Sequence, residues 1–111
     1  MKNKNETITF DIGLACELGL NASIFLAKLC AEIEQSKIEI DGKKWIPNDF
    51  GKMQIDWFPF WSESTINRLL KELSGAGFIE KRPFKKIRGC NNVITVNFDK
   101  VELAIKGVSQ R

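Results

Sequence analysis

The amino-acid sequence predicts an α+β fold, mainly α, and three observations carry that expectation. Apolar residues recur at helical spacing over 22–33 and again over 66–73. The dipeptide Asp41-Gly42 separates two short runs rich in β-branched residues, the pattern of a tight hairpin. Two further β-type runs, 78–82 and 93–98, flank a long basic stretch.

A chain of 111 residues has room for one domain around a modest core. The domain is expected over 11–106, with polar tails at 1–10 and 107–111. Hydrophobic residues make up 43% and charged residues 28%, which is ordinary for a soluble globular protein. No apolar run approaches the roughly 18 residues of a membrane span. The start, MKNKNETITF, has no apolar segment of the secretory kind. A cytoplasmic location without a membrane partner is therefore expected.

Cys16, Cys30 and Cys90 show no CxxC spacing and read as reduced thiols. The chain has no histidine, which removes the usual zinc ligand sets and the Ser-His-Asp and Cys-His nucleophile arrangements. Gly75-Ala76-Gly77 follows a helix rather than a strand and has no GK[ST] after it, so it is not a phosphate loop. These features predict a protein that is not an enzyme and needs neither cofactor nor metal.

Net charge is unevenly spread. Residues 1–63 balance at −3, whereas residues 64–98 balance at +5. One basic face turned toward a polyanion is the expected meaning.

In chain order, Asp11 is placed to cap a short helix with Ile12, Ala15, Cys16 and Leu18 inward, closed by Gly19. Asn21 is the expected cap of a longer helix. Its Ala22, Phe25, Leu26, Leu29, Cys30 and Ile33 fall on one continuous face. Ile24 lies off that face, which predicts a helix that is central or touches a second subunit. The Asp41-Gly42 hairpin follows, its second strand ending at Pro47. Asn48 or Asp49 caps a short helix to Asp56, with Phe50, Met53 and Trp57 on one side.

The stretch WFPFWSEST, residues 57–65, sets four aromatic rings against a polar helix start. Pro59 forces a turn, Ser62 is a preferred cap, and Trp61 and Ile66 are spaced for a hydrophobic staple. The rings are expected to clamp the helix over 63–74, whose Ile66, Leu69, Leu70 and Leu73 point inward; base stacking by one ring is the alternative. Strands 78–82 and 93–98 then enclose the basic loop, and Asp99 with Glu102 forms a capping box for a last helix.

Short helix, turn, helix with a polar N-terminal half, then a basic hairpin: this order predicts a winged helix-turn-helix with a β-hairpin wing. A helix in the major groove of duplex DNA would present Ser64, Thr65, Asn67, Arg68 and Lys71 to bases and phosphates, with Ser62 at its start. Lys81, Arg82, Lys85, Lys86 and Arg88 would follow the backbone along the wing at 81–92.

The segment WFPFWSESTINRLLKELSGAGFIEK resembles the winged-helix core of DnaD-like bacterial and phage replication-initiation proteins, and GLNASIFLAKLCAEIE with DGKKWI extends the resemblance over about 11–82. The resemblance implies a phage or mobile-element protein of replication initiation or transcription regulation. It also implies that Ser62, Ser64, Thr65 and Arg68 lie on a DNA-facing helix. The expected partners are double-stranded DNA and a second copy in a homodimer. The competing expectation is a protein-interaction module, serving oligomerisation or inhibition of a host replication, transcription or defence protein.

Overall fold

The structure, a computed structural model, describes residues 8–109, with side chains through Ile105. Residues 1–7 and 110–111 of the expected tails lie outside the described residues. The chain is α+β: helices α1 (Ile12–Leu18), α2 (Leu20–Glu34), α3 (Phe50–Asp56), α4 (Glu63–Gly75) and α5 (Phe98–Ser109), and strands β1 (Ile38–Ile40), β2 (Lys43–Pro47), β3 (Ile79–Pro83) and β4 (Asn92–Val96). The strands form one antiparallel sheet in the order β1-β2-β4-β3.

Helix α1 begins where expected, with the Asp11 carboxylate accepting from the Leu14 amide at 2.9 Å. Its inward face differs from the expected one. Leu14 is buried, whereas Ile12 is 76% exposed and Cys16 is exposed. Two turns of apolar residues do not fix a helix phase by themselves; packing against α2 and the distant α5 selects it.

Asn21 does not cap α2. Gly19, at φ 92°, ends α1 and starts α2, and Asn21 falls inside the first turn. The expected stripe of α2 is buried at Ala22, Phe25, Leu26, Leu29 and Ile33, and Ser23 between them is fully buried as well. Its hydroxyl donates to the Asp11 carbonyl at 3.4 Å.

Asp41 (φ 53°) and Gly42 (φ 80°) turn β1 into β2, both left-handed as a two-residue hairpin of this twist requires. Register then sorts the sheet into two faces. Ile46 pairs with Ile94 and Ile79 with Val96, and these four join α2 and α4 in the main core. On the opposite face Trp45 and Val93 are fully buried.

Between α3 and α4 the rings divide between core and surface, Phe60 being 61% exposed. Phe58 is fully buried, its ring centroid 5.3 Å from Phe25 and 5.0 Å from Trp61. Pro59 occupies the tight turn in which the Trp61 amide donates to the Phe58 carbonyl at 3.1 Å. Ser62 then accepts from the Thr65 amide at 3.2 Å and opens α4. Ile66, Leu69, Leu70 and Leu73 are buried as expected. At the far end the Phe78 amide reaches the Leu73 carbonyl at 2.9 Å while Gly77 is left-handed, so α4 ends in a Schellman turn.

That turn takes Phe78, so β3 starts at Ile79 rather than at 78. The strand expected over 93–98 is Asn92–Val96; the Asn97 amide still donates to the Phe78 carbonyl at 2.8 Å, but its side chain caps α5. Its side chain accepts from the Lys100 amide at 3.1 Å, and Asp99, the expected cap, sits in the first turn instead.

Candidate nucleic-acid interface

Helix α4 carries four apolar side chains on one side, and at 100° per residue the opposite side runs through Ser64, Arg68, Lys71 and Gly75. Ser64, Arg68 and Lys71 are exposed, and Thr65 and Asn67 are half-buried on the flanks. The outward stripe is thus polar, short and cationic at two successive turns. Arg68 contacts Glu72 at 3.5 Å, both more than half exposed, an i,i+4 pair that water screens and that restrains the guanidinium only weakly.

Two neighbours frame that stripe. Arg68 and Glu72 line a groove shared with Leu18, Gly19 and Leu20 at the α1–α2 junction. On the other flank, a side chain added at Gly51 would meet Asp49 Oδ1 at 3.7 Å and Glu63 Oε2 at 3.8 Å. The starts of α3 and α4 therefore lie side by side. Glu63 brings an acid to that corner, where it complements the helix dipole and disfavours a phosphate.

The cations of the β3–β4 region divide between different surroundings. Lys81 pairs in register with Ile94, on the sheet face that carries the helices, and is exposed. Arg82, one residue on, points to the other face. Its guanidinium is 2.8 Å from Asp41, 3.8 Å from Glu80 and 4.9 Å from the centre of the Trp45 ring. Lys43 adds a 3.5 Å contact to Glu80. Arg82 is thereby held by a small ionic network that also roofs a buried tryptophan. Of the expected wing residues it has the most intramolecular contacts. No sequence signal links positions 41 and 82; only the sheet order brings them together.

Lys85, Lys86 and Arg88 are exposed on the connection between β3 and β4. The connection is anchored at its base. The Phe84 amide donates to the Asn91 carbonyl at 2.9 Å, and Asn48 before α3 donates through its amide to the Asn92 carbonyl at 3.0 Å. The Cys90 thiol, buried here, donates to the Asn92 carbonyl at 2.9 Å. Arg88 does not join α4; it borders a cleft against α3 with Lys52 and Asp56.

Among the described residues no group of three or more Cys, Asp or Glu side chains is arranged to hold a metal ion. Among the described residues no helix is long and apolar enough to cross a membrane. No family model, curated protein or solved structure matches the chain.

Proposed function

We propose that this chain is a winged helix-turn-helix protein of phage or mobile-element type that binds double-stranded DNA in replication initiation or transcription regulation. In this reading α4 is the recognition helix in the major groove and the β3–β4 hairpin is the wing. One observation carries it: the side of α4 opposite the buried Ile66, Leu69, Leu70 and Leu73 is an uninterrupted polar stripe with Arg68 and Lys71 exposed. Arg68 has the fork geometry that suits a guanine edge, and Ser64 and Asn67 can pair with bases or phosphates. Lys85 and Lys86 supply non-specific phosphate contacts. Arg82 contributes by shaping the hairpin. The protein acts in a cytoplasm and as a homodimer. For the dimer, Ile12 on α1 (76% exposed) and Leu103 on α5 (69% exposed), two helices packed together, offer apolar surface.

Fluorescence anisotropy with random duplex and single-stranded DNA at two salt concentrations tests the reading. Duplex should bind more tightly than single strand, with affinity falling steeply as salt rises. Absence of duplex binding at low salt refutes it.

A second reading is favoured by Ile55 and Phe60, 71% and 61% exposed beside the α3–α4 turn. Apolar side chains at that corner suit a protein partner, such as a host replication, transcription or defence protein. Partner capture that survives nuclease treatment and is lost in Phe60→Ala would favour this reading.

A further inference from the structure

The β3–β4 connection closes one side of a cleft of about 510 Å³, a volume within the range of small-molecule sites. Its other walls are the C-terminal part of α2, the end of β2 and α3. The lining mixes apolar, charged and neutral polar side chains. Ile46, Met53, Trp57 and Ile87 supply carbon surface, with Ile46 and Met53 buried beneath and the Trp57 indole half-exposed. The Phe58 ring meets the indole edge-on, centroids 6.2 Å apart, so the tryptophan is held in place by the core.

Some of the rim charges already have partners. Glu32 is taken up by Lys28 at 2.9 Å, and Asp49 caps α3 through the Lys52 amide at 3.1 Å. The side chains of Lys52, Asp56 and Arg88 have no ion-pair partner among the described residues. Lys52 and Arg88, with Asp49 and Asp56 beside them, thus border a tryptophan-lined apolar wall.

We infer that this cleft binds a small flat aromatic molecule carrying one anionic group. The ring lies against Trp57, Met53 and Ile87, where apolar contact and stacking favour a planar solute. The anion pairs with Lys52 and Arg88, and Asp56 accepts from a ring or exocyclic N–H. An elongated aliphatic acid has no surface comparable to the indole, and a polyanion would meet Asp49 and Asp56 at the rim.

Three probes of this chemistry are adenosine 5′-monophosphate, guanosine 5′-monophosphate and indole-3-acetate, titrated into the intact ¹⁵N-labelled chain and followed by ¹H–¹⁵N spectra. Expected are saturable shifts of the Trp57 indole N–H and the Met53 and Ile87 amides with at least one probe. Its dissociation constant should lie at about 10 µM to 1 mM, as ligands of this size allow. Adenosine, guanosine or indole, lacking the anion, should bind at least about tenfold more weakly than the charged counterpart. Lys52→Glu, a surface change, should abolish that preference while leaving the rest of the spectrum in place. The inference is overturned if none of the three probes shifts Trp57. It is equally overturned if charged and uncharged members bind alike, or if Lys52→Glu leaves the preference intact. The assay contains no DNA, so its outcome is separate from that of the duplex-binding reading.

Discussion

The Arg82 guanidinium lies 2.8 Å from the Asp41 carboxylate, 41 positions earlier in the chain, and covers the Trp45 ring at 4.9 Å. This contact ties the turn of the first hairpin to the first strand of the second. The ion pair is largely exposed and contributes on the order of 0.5 kcal/mol, while the stacked guanidinium adds about as much. Arg82→Ala should lower stability by about 1 kcal/mol in urea unfolding and red-shift tryptophan emission as Trp45 gains water. Asp41→Asn keeps a residue that tolerates the left-handed turn and should cost under about 0.5 kcal/mol. Equal effects of the two changes would mean that the roof over Trp45 contributes nothing.

Phe58 and Phe60 sit two residues apart in one aromatic cluster but do unequal work. Phe58 is fully buried between Phe25 and Trp61, and Phe60 is 61% exposed. Phe58→Ala should destabilise by about 3–5 kcal/mol through the lost ring and the cavity left behind. Phe60→Ala should cost less than about 1 kcal/mol. Thermal melts distinguish them. A small loss for Phe58→Ala would show that the turn between α3 and α4 is held by something other than its rings.

Arg68 and the Lys85, Lys86 pair separate reading from gripping. All three are exposed and tied to the fold by at most one screened contact, so Arg68→Ala and the double change Lys85→Ala/Lys86→Ala should move the melting temperature little. On the duplex-binding reading, Arg68→Ala should weaken DNA affinity by about 1–3 kcal/mol and relax preference among sequences. The double lysine change should weaken all duplexes alike and lower the salt slope by about 2. Titrations at several salt concentrations measure both, and identical slopes in wild type and double variant would exclude the loop from the interface.

Gly77 closes α4 at φ 86°, and a Cβ there would lie 2.8 Å from Lys100 Nζ, whose ammonium caps the Ala76 carbonyl and lies 5.0 Å from the Phe78 ring centre. Gly77→Ala should cost about 1–2 kcal/mol, mostly in backbone conformation because the lysine can swing aside. Combined with Lys100→Ala the loss should be less than additive, since the clash is gone. Full additivity in urea unfolding would mean that the two residues do not meet.

The parts of this fold that were legible in sequence are those whose signal is local. The α4 stripe, its Ser62 cap, the Asp41-Gly42 turn and the Pro59 turn each follow from spacing or from one residue's conformational limits. Boundaries failed where two local signals competed. Asn97 and Asp99 can both cap a helix, and Phe78 suits a strand as well as a Schellman turn. The face of α1 was illegible because α5, eighty residues away in sequence, decides it. The candidate interface divides similarly. The exposed side of α4 could be drawn from periodicity, whereas the capture of Arg82 by Asp41 and Trp45 depends on strand order. Composition alone makes Arg82 one more basic residue.

Cys30 gives a signature of packing that needs no ligand. Burial, with the Glu34 carboxylate adding to it, pushes this thiol from 9.0 up to about 11. In the unfolded chain the thiol ionises from about pH 9, whereas in the fold it keeps its proton until about pH 11. The native state therefore binds more protons across that window, and stability falls as pH rises through it. Because Cys30 is only partly buried, solvent screening holds the effect to on the order of 1 kcal/mol. Cys30→Ala removes the titrating group. Urea unfolding at about pH 8, 9 and 10 should show wild type losing stability relative to the variant only above about pH 9. Curves that stay parallel would mean that water reaches the thiol and that α2 packs less closely at this turn.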